Sequence, residues 1–226
     1  MNHDNFEFSG ETKKYCGRML HRLRAKKDFP EHGIIAGELC GWIEKEENIY
    51  ENACVFGNAC VYGNAEVSRY AKVFGDACVF DNACVSEDAC VYGNACVCGN
   101  SWVCENAKVY GCACASDNAK VFGDAEVSGD ARVYGNAKVA GNAIVKSDRD
   151  YIVFKNWWSS GRYFTWTRSN NMWRVGCFYG TGNDLIKKAY KDSEESGRNY
   201  EAVVGYVNNV VIPQIHIPII ESKQSK

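Results

Sequence analysis

From Ala53 to Val145 the chain repeats the frame Asn-Ala-x-Val-x-Gly every six residues, sixteen times without an insertion or deletion. A period this short and strict dictates the architecture before any other feature is weighed. Ala keeps its place except at Ser101, Val keeps its place except at Ala115, and Asn or Asp precedes the Ala except at Tyr70 and Cys112. Ala and Val lie two residues apart, so in an extended strand they point to one side and leave the residue between them and the one after Val on the other. Gly followed by Asn or Asp supplies the residues that best tolerate positive φ, so each copy ends in a tight corner. Gly closes ten copies, as at Gly57, Gly63, Gly75 and Gly93, while Arg69, Asp81 and Glu105 stand there in others. A helix is excluded, because Gly and Asn at every boundary would break every second turn.

The phrase "NACVYGNAEV" resembles the hexapeptide repeat of left-handed parallel β-helix proteins. That resemblance implies three copies per triangular coil, hence a little over five coils stacked at roughly 4.8 Å each into a prism about 25 Å long. "GELCGWIEKEENIYENA" keeps Ile43 and Ile49 in phase with the Val series, so the helix is expected to start before the clean repeats. With "RLRAKKDF" and the later "GCFYGT", the chain looks like an uncharacterised family of hexapeptide-repeat proteins found in gut bacteria and their phages. The resemblance covers most of the chain and implies no activity. A solenoid needs covered ends, which gives an expected division into N-terminal cap strands at 1–40, a β-helix at 41–147 and a small α+β domain with an extended tail at 148–226.

With eighteen residues per coil, the outward positions stack into ladders. One face carries Phe56, Phe74, Tyr92 and Tyr110, flanked by Cys54, Lys72, Cys90 and Lys108; a second carries Tyr62, Phe80, Cys98, Ser116 and Tyr134, flanked by Cys60, Cys78, Cys96, Cys114 and Arg132; the third carries Ser68, Ser86, Cys104, Phe122 and Ala140, flanked by Glu66, Cys84, Trp102, Lys120 and Lys138. Stacked aromatics stabilise a sheet by cross-strand packing. A continuous outward apolar stripe also marks an interface, and subunits of an oligomer would pack there. The thiol ladder invites a metal reading, yet a flat sheet offers sulfurs in a line rather than at tetrahedral corners, and no CxxC pair occurs. The expectation is no metal and no cofactor, with cysteine serving as a compact, mildly apolar outward residue.

The thirteen cysteines fall mostly at one repeating position rather than in a disulfide framework, which points to a reducing cytoplasm. A formal net charge of -2 argues against a general nucleic-acid binder or a membrane-surface protein. Neither the opening "MNHDNFEFSG" nor any later stretch has the apolar run of a signal or a membrane span.

Catalysis finds little support. Hexapeptide acyltransferases use a histidine base projecting from the coils, and zinc hydratases on the same helix need three histidine ligands; here His3, His21, His32 and His216 all lie outside 51–147. An acyltransferase would rest on His32 or His216 reaching a neighbour's coil. There is no Gly-x-Ser-x-Gly elbow, phosphate-cradling GxxxxGK[ST] or HExxH.

In the flanks, "GRMLHRLRAKKDF" alternates as a strand with Arg22, Arg24 and Lys26 on its outer face. "DYIVFKNWWSSGRYFTWTRSNNMWRVGCFYGT" reads as three strands, and "NDLIKKAYKD" and "NYEAVVGYVNNV" carry helical spacing. The adjacent Trp157 and Trp158 cannot both face inward from one strand, which makes one of them a contact residue. The tail "VVIPQIHIPIIESKQSK" is expected to be extended. The reading that combines these features is a non-catalytic binding protein: a β-helix scaffold that presents its C-terminal module to a host or cellular protein, as a homo-oligomer and as a phage-type inhibitor or sequestering protein. Its expected binding residues are Phe56, Phe74, Tyr92, Tyr110, Lys72, Lys108, Trp157 and Trp158. The alternatives are an acyltransferase and a nucleotide or small-ligand sponge using Lys72, Lys108, Arg22 and Arg24.

Overall fold

The computed structural model describes residues 3–215. An antiparallel hairpin, β1 (Phe6–Tyr15) and β2 (Arg18–Ala25), leads into β3 (Leu39–Ile43), and the repeats then supply sixteen two-residue strands from β4 (Cys54–Val55) to β19 (Ile144–Val145). Every third strand pairs in parallel, so Val73, Val91 and Val109 are in register along one wall and Val79, Val97 and Ala115 along another. Three parallel walls of about six turns result. The repeated Ala and Val side chains, from Ala53 to Val145, are buried in one continuous column.

The corner residue adopts positive φ in every copy but the last, whose corner is Ser147, whether or not it is glycine. Arg69, Asp81, Glu87, Glu105 and Asp117 all lie between 57° and 63°, a conformation that costs a non-glycine residue roughly 1–2 kcal/mol. Several acidic corners recover part of that cost by accepting a backbone N–H from the next coil: Asp81 from Gly99 at 3.2 Å, Glu87 from Glu105 at 2.9 Å and Asp117 from Gly135 at 2.9 Å. The Asn side chains that follow the corners bond along the prism axis, with Asn64, Asn82 and Asn100 linked at 3.1 Å.

Along each wall the outward residues donate their N–H to a carbonyl one coil further on, as Cys54 does to Ala71 and Lys72 to Ala89, both at 2.9 Å. The outward groups of the last coil have no further coil to meet, and the C-terminal segment answers them, the Tyr151 hydroxyl donating to the Arg132 carbonyl at 2.7 Å. Arg132 N–H donates to Asp148 (2.7 Å), Lys138 N–H to Thr165 Oγ1 (2.8 Å), Ile144 N–H to Ser169 Oγ (2.7 Å) and Lys146 N–H to Asp150 (2.9 Å). At the other end, β2 pairs with β3 and extends the wall that holds Cys60 and Cys78.

The C-terminal module is a four-stranded antiparallel sheet of β20 (Tyr151–Lys155), β21 (Tyr163–Thr167), β22 (Met172–Val175) and β23 (Phe178–Gly180), followed by α1 (Gly182–Asp192) and α2 (Glu194–Tyr206). The fourth strand goes beyond the three expected: the positive-φ Gly176 turns the chain so that Phe178 pairs back with Val175. The helices start at Thr181 and Ser193, whose hydroxyls accept from Asp184 and Ser196 N–H, as N-caps do. The start of the tail is not extended. Val207–Val211 continues α2 as a π-helical turn and Ile212–Ile215 is helical, because Val207 is buried in the module's core and carries the helix past Tyr206. The rest of the tail, with His216 and Pro218, lies outside the described residues.

Two measurements check this arrangement. Thr165 is fully buried, so Thr165→Val keeps its shape while stranding the Lys138 N–H; urea unfolding should show a loss of about 1–3 kcal/mol. Gly123 and Gly135 share positive φ, yet a Cβ on Gly123 would lie 2.7 Å from the Gly141 nitrogen whereas one on Gly135 meets nothing within 4 Å. Gly123→Ala should therefore lower the melting temperature clearly more than Gly135→Ala; equal losses would mean that backbone strain alone sets the cost.

Candidate functional site

Rings one coil apart fall in register, so part of the aromatic ladder forms as the sequence predicts. Phe74 and Tyr92 stack at 4.8 Å between ring centroids and Tyr92 and Tyr110 at 4.9 Å, each pair within 1° of parallel and half-buried. Phe56 does not join them as an outward residue. It is 3% exposed, because the N-terminal segment folds over it: Phe29 meets it edge-on at 5.1 Å, Phe6 at 5.8 Å and the His32 ring at 4.8 Å. The same segment and hairpin leave Cys54, Cys60 and Tyr62 buried, and Tyr15 packs edge-on against Tyr62 at 5.8 Å.

The cations beside the ladder have partners. Lys72 pairs with Glu31 at 3.2 Å and Lys108 with Glu126 at 3.3 Å, while the Tyr110 hydroxyl donates to Glu126 as well. The Lys72 ammonium holds the Glu31 carboxyl below its ordinary range, and hydrogen bonding to Glu126 raises Lys108. Arg22 lies over the Trp42 ring at 4.7 Å and Arg24 donates to the Gly37 carbonyl. The basic residues suited to phosphate are thus engaged within the chain. His32 rests against Phe56 and Phe74 with Nε2 3.6 Å from Glu31, and burial followed by the Lys72 charge lowers its pKa.

The two adjacent tryptophans divide as expected, although they stand in the turn after β20 rather than in a strand. Trp158 packs edge-on to Tyr200 at 5.0 Å and Phe164 at 6.2 Å, inside the module. Trp157 projects at 75% exposure from the turn between β20 and β21, its ring perpendicular to that of Trp158. Its base is rigid: Asn156 is buried, donates to the Tyr200 hydroxyl at 3.0 Å and accepts from the Ser159 N–H at 2.9 Å.

The second wall holds chemistry that the sequence places only in outline. Cys60, Cys78, Cys96 and Cys114 are consecutive register partners. At its lower end Lys13 donates to Cys60 at 3.4 Å and Tyr15 contacts Cys78 at 3.6 Å. Hydrogen bonding from Cys60 and Tyr15, with the Lys13 charge, brings the Cys78 thiol down to about 6. Further along, Cys98 breaks the straight line, and the sulfurs of Cys96, Cys98 and Cys114 lie within 4.8 Å of one another. Reasoning from the sheet alone predicts a line of thiols and misses this triangle; the signal was Cys98 itself, where earlier coils carry Tyr62 and Phe80. Beside it a groove of about 550 Å³ is lined by Cys114, Ser116, Asp117, Arg132, Tyr134 and Asp148. No helix among the described residues is long and apolar enough to cross a membrane. In comparisons with known proteins, no family model and no curated protein matches the chain.

The division of the tryptophan pair is open to direct test. Trp158→Ala should cost about 3 kcal/mol or more by denaturant unfolding, whereas Trp157→Ala should stay within about 0.5 kcal/mol of the parent.

Proposed function

We propose that the chain is a non-catalytic binding protein: a rigid left-handed β-helix that presents its C-terminal module to a macromolecular partner. In this reading it is a phage-type inhibitor or sequestering protein directed at host machinery in a reducing cytoplasm, and it belongs with the hexapeptide-repeat proteins of gut bacteria and phages that its motifs resemble. The observation that carries the reading is Trp157, an indole 75% exposed on a base that is itself packed. Tryptophan is among the residues that dominate binding energy at protein interfaces, and a preorganised one loses little freedom on docking.

The half-buried stack of Phe74, Tyr92 and Tyr110 supplies a second apolar surface, suited to packing between copies in a homo-oligomer. Intramolecular pairing of Lys72 and Lys108 favours a protein partner over a nucleotide, because a phosphate would have to displace a carboxylate already in place. The aromatic packing around His32 weighs against the acyltransfer alternative, in which a base must approach the hydroxyl or amine it deprotonates.

Affinity capture from host lysate with mass-spectrometric identification tests the assignment. Trp157→Ala should abolish capture of the identified partner while far-ultraviolet circular dichroism stays unchanged, and Phe74→Ser with Tyr92→Ser should shift the oligomer measured by light scattering. Capture that survives Trp157→Ala at parental affinity would remove the module from the contact.

A further inference from the structure

The hexapeptide array departs from its own pattern in a few places, and several of these departures converge in space. Cys98 and Ser116 stand in the column that carries Tyr62, Phe80 and Tyr134; Ser101 replaces the Ala, Ala115 replaces the Val, and Cys112 replaces the Asn. The buried Ser101 hydroxyl donates to the Cys98 carbonyl at 2.7 Å and contacts the Ala115 carbonyl at 3.2 Å. It thereby ties together the two backbone segments that carry Cys98 and Cys114.

We propose that Cys96, Cys98 and Cys114 form a binding site for a single thiophilic d10 cation, monovalent copper or a group-12 dication, held by three thiolates. A straight ladder cannot do this. Strands repeat at about 4.8 Å, so the outer two of three stacked thiols stand about 9.6 Å apart. Cys98 lies two residues from Cys96 on the same outward side and turns the line into a triangle, whose sulfurs all fall within 4.8 Å of one another. Metal–sulfur bonds of about 2.3 Å place the sulfurs of a three-thiolate site roughly 3.8–4.0 Å apart, so small side-chain rotations close the triangle on an ion.

The surroundings suit such an ion. Cys40, Cys54 and Cys90 each donate to the carbonyl two residues earlier at 3.4–3.6 Å, whereas the sulfurs of Cys96, Cys98 and Cys114 gather within 4.8 Å of one another. The neighbouring Cys96 and Cys98 thiols first, with the Ser116 hydroxyl and the Arg132 charge after them, draw the Cys114 thiol below its ordinary value. The guanidinium also offsets part of the negative charge that three thiolates carry. On metal entry three S–metal bonds form and the thiol protons leave to solvent. An all-sulfur donor set selects soft ions over magnesium, calcium or manganese, and Asp117 on the adjoining groove is already held by the Gly135 N–H at 2.9 Å.

The test uses the full-length protein, stripped of metal and kept reduced with a phosphine. Titration with Cd(II), and separately with Cu(I), should produce thiolate-to-metal charge-transfer absorption that saturates at one equivalent, with proton release in weak buffer and a raised melting temperature. Competition by Zn(II) separates a dication site from a copper site, and either result supports the assignment. Cys98→Ser removes one ligand, and Cys98→Phe restores the residue type that the column already carries at Phe80; each should weaken binding at least about 100-fold. Cys78→Ser, in the same ladder but outside the triangle, should bind as the parent does. The proposal is overturned by the absence of a saturable one-equivalent signal, by parental affinity in both Cys98 variants, or by a loss in Cys78→Ser as large as in Cys98→Ser.

Discussion

The structure depends on one constraint: each coil must hydrogen-bond to the coil stacked on it, the outward residues of a wall donating their N–H to carbonyls one coil further on. A two-residue strand such as Lys72–Val73 would be negligible alone, and it persists because each of its backbone groups is satisfied by the coils before and after it. Stacking therefore fixes the period, and the period fixes which residues are tolerated. The interior admits only side chains that repeat without changing volume, hence Ala and Val, and the corners admit only residues that reach positive φ.

The same dependence on a neighbouring coil shapes the two ends. The outward backbone groups of the final coil have no further coil to pair with: Asp148, Asp150, Thr165 and Ser169 accept from its N–H groups, and the Tyr151 and Tyr179 hydroxyls donate to its Arg132 and Ala140 carbonyls. The wall of the first coils is instead extended by regular strand pairing, from β3 to β2 to β1. That hairpin and the segment after it lie against the outward side as well, where Phe6, Phe29 and His32 enclose Phe56. Covering the end thus removes one member of the aromatic ladder from solvent and leaves Phe74, Tyr92 and Tyr110 as its half-buried remainder.

Whatever depends on the six-residue period was legible in the sequence: the inward Ala and Val, the corners, the register of the outward columns and the phase of Ile43 with the Val series. Trp157 and Trp158 part as expected, but in the turn after β20 and not on the strand from which the expectation was argued. What escaped was non-local. Nothing in the period says that Phe6 and Phe29 close over Phe56, that Gly176 turns the chain into a fourth strand, or that Val207 draws the start of the tail into a helical turn. The acidic corners were visible only as exceptions; their reason, a carboxylate accepting an N–H from the next coil, appears only when residues eighteen apart are neighbours.

In a strict repeat the cost of each exception is paid locally, which makes exceptions informative. A non-glycine corner strains the backbone, and a hydroxyl in place of the core Ala must find a partner inside an apolar column. Ser101 meets that requirement by bonding to the carbonyls of Cys98 and Ala115, so its presence is tied to the segment where the aromatic column gives way to thiol and hydroxyl. Aromatic rings would bury more surface at Cys98 and Ser116 than the small side chains do. Stacking alone therefore gives no reason for the change, and the grouping of small, polar and sulfur-bearing residues around one point of the second wall is best explained by what those side chains do together rather than by what each contributes to the fold.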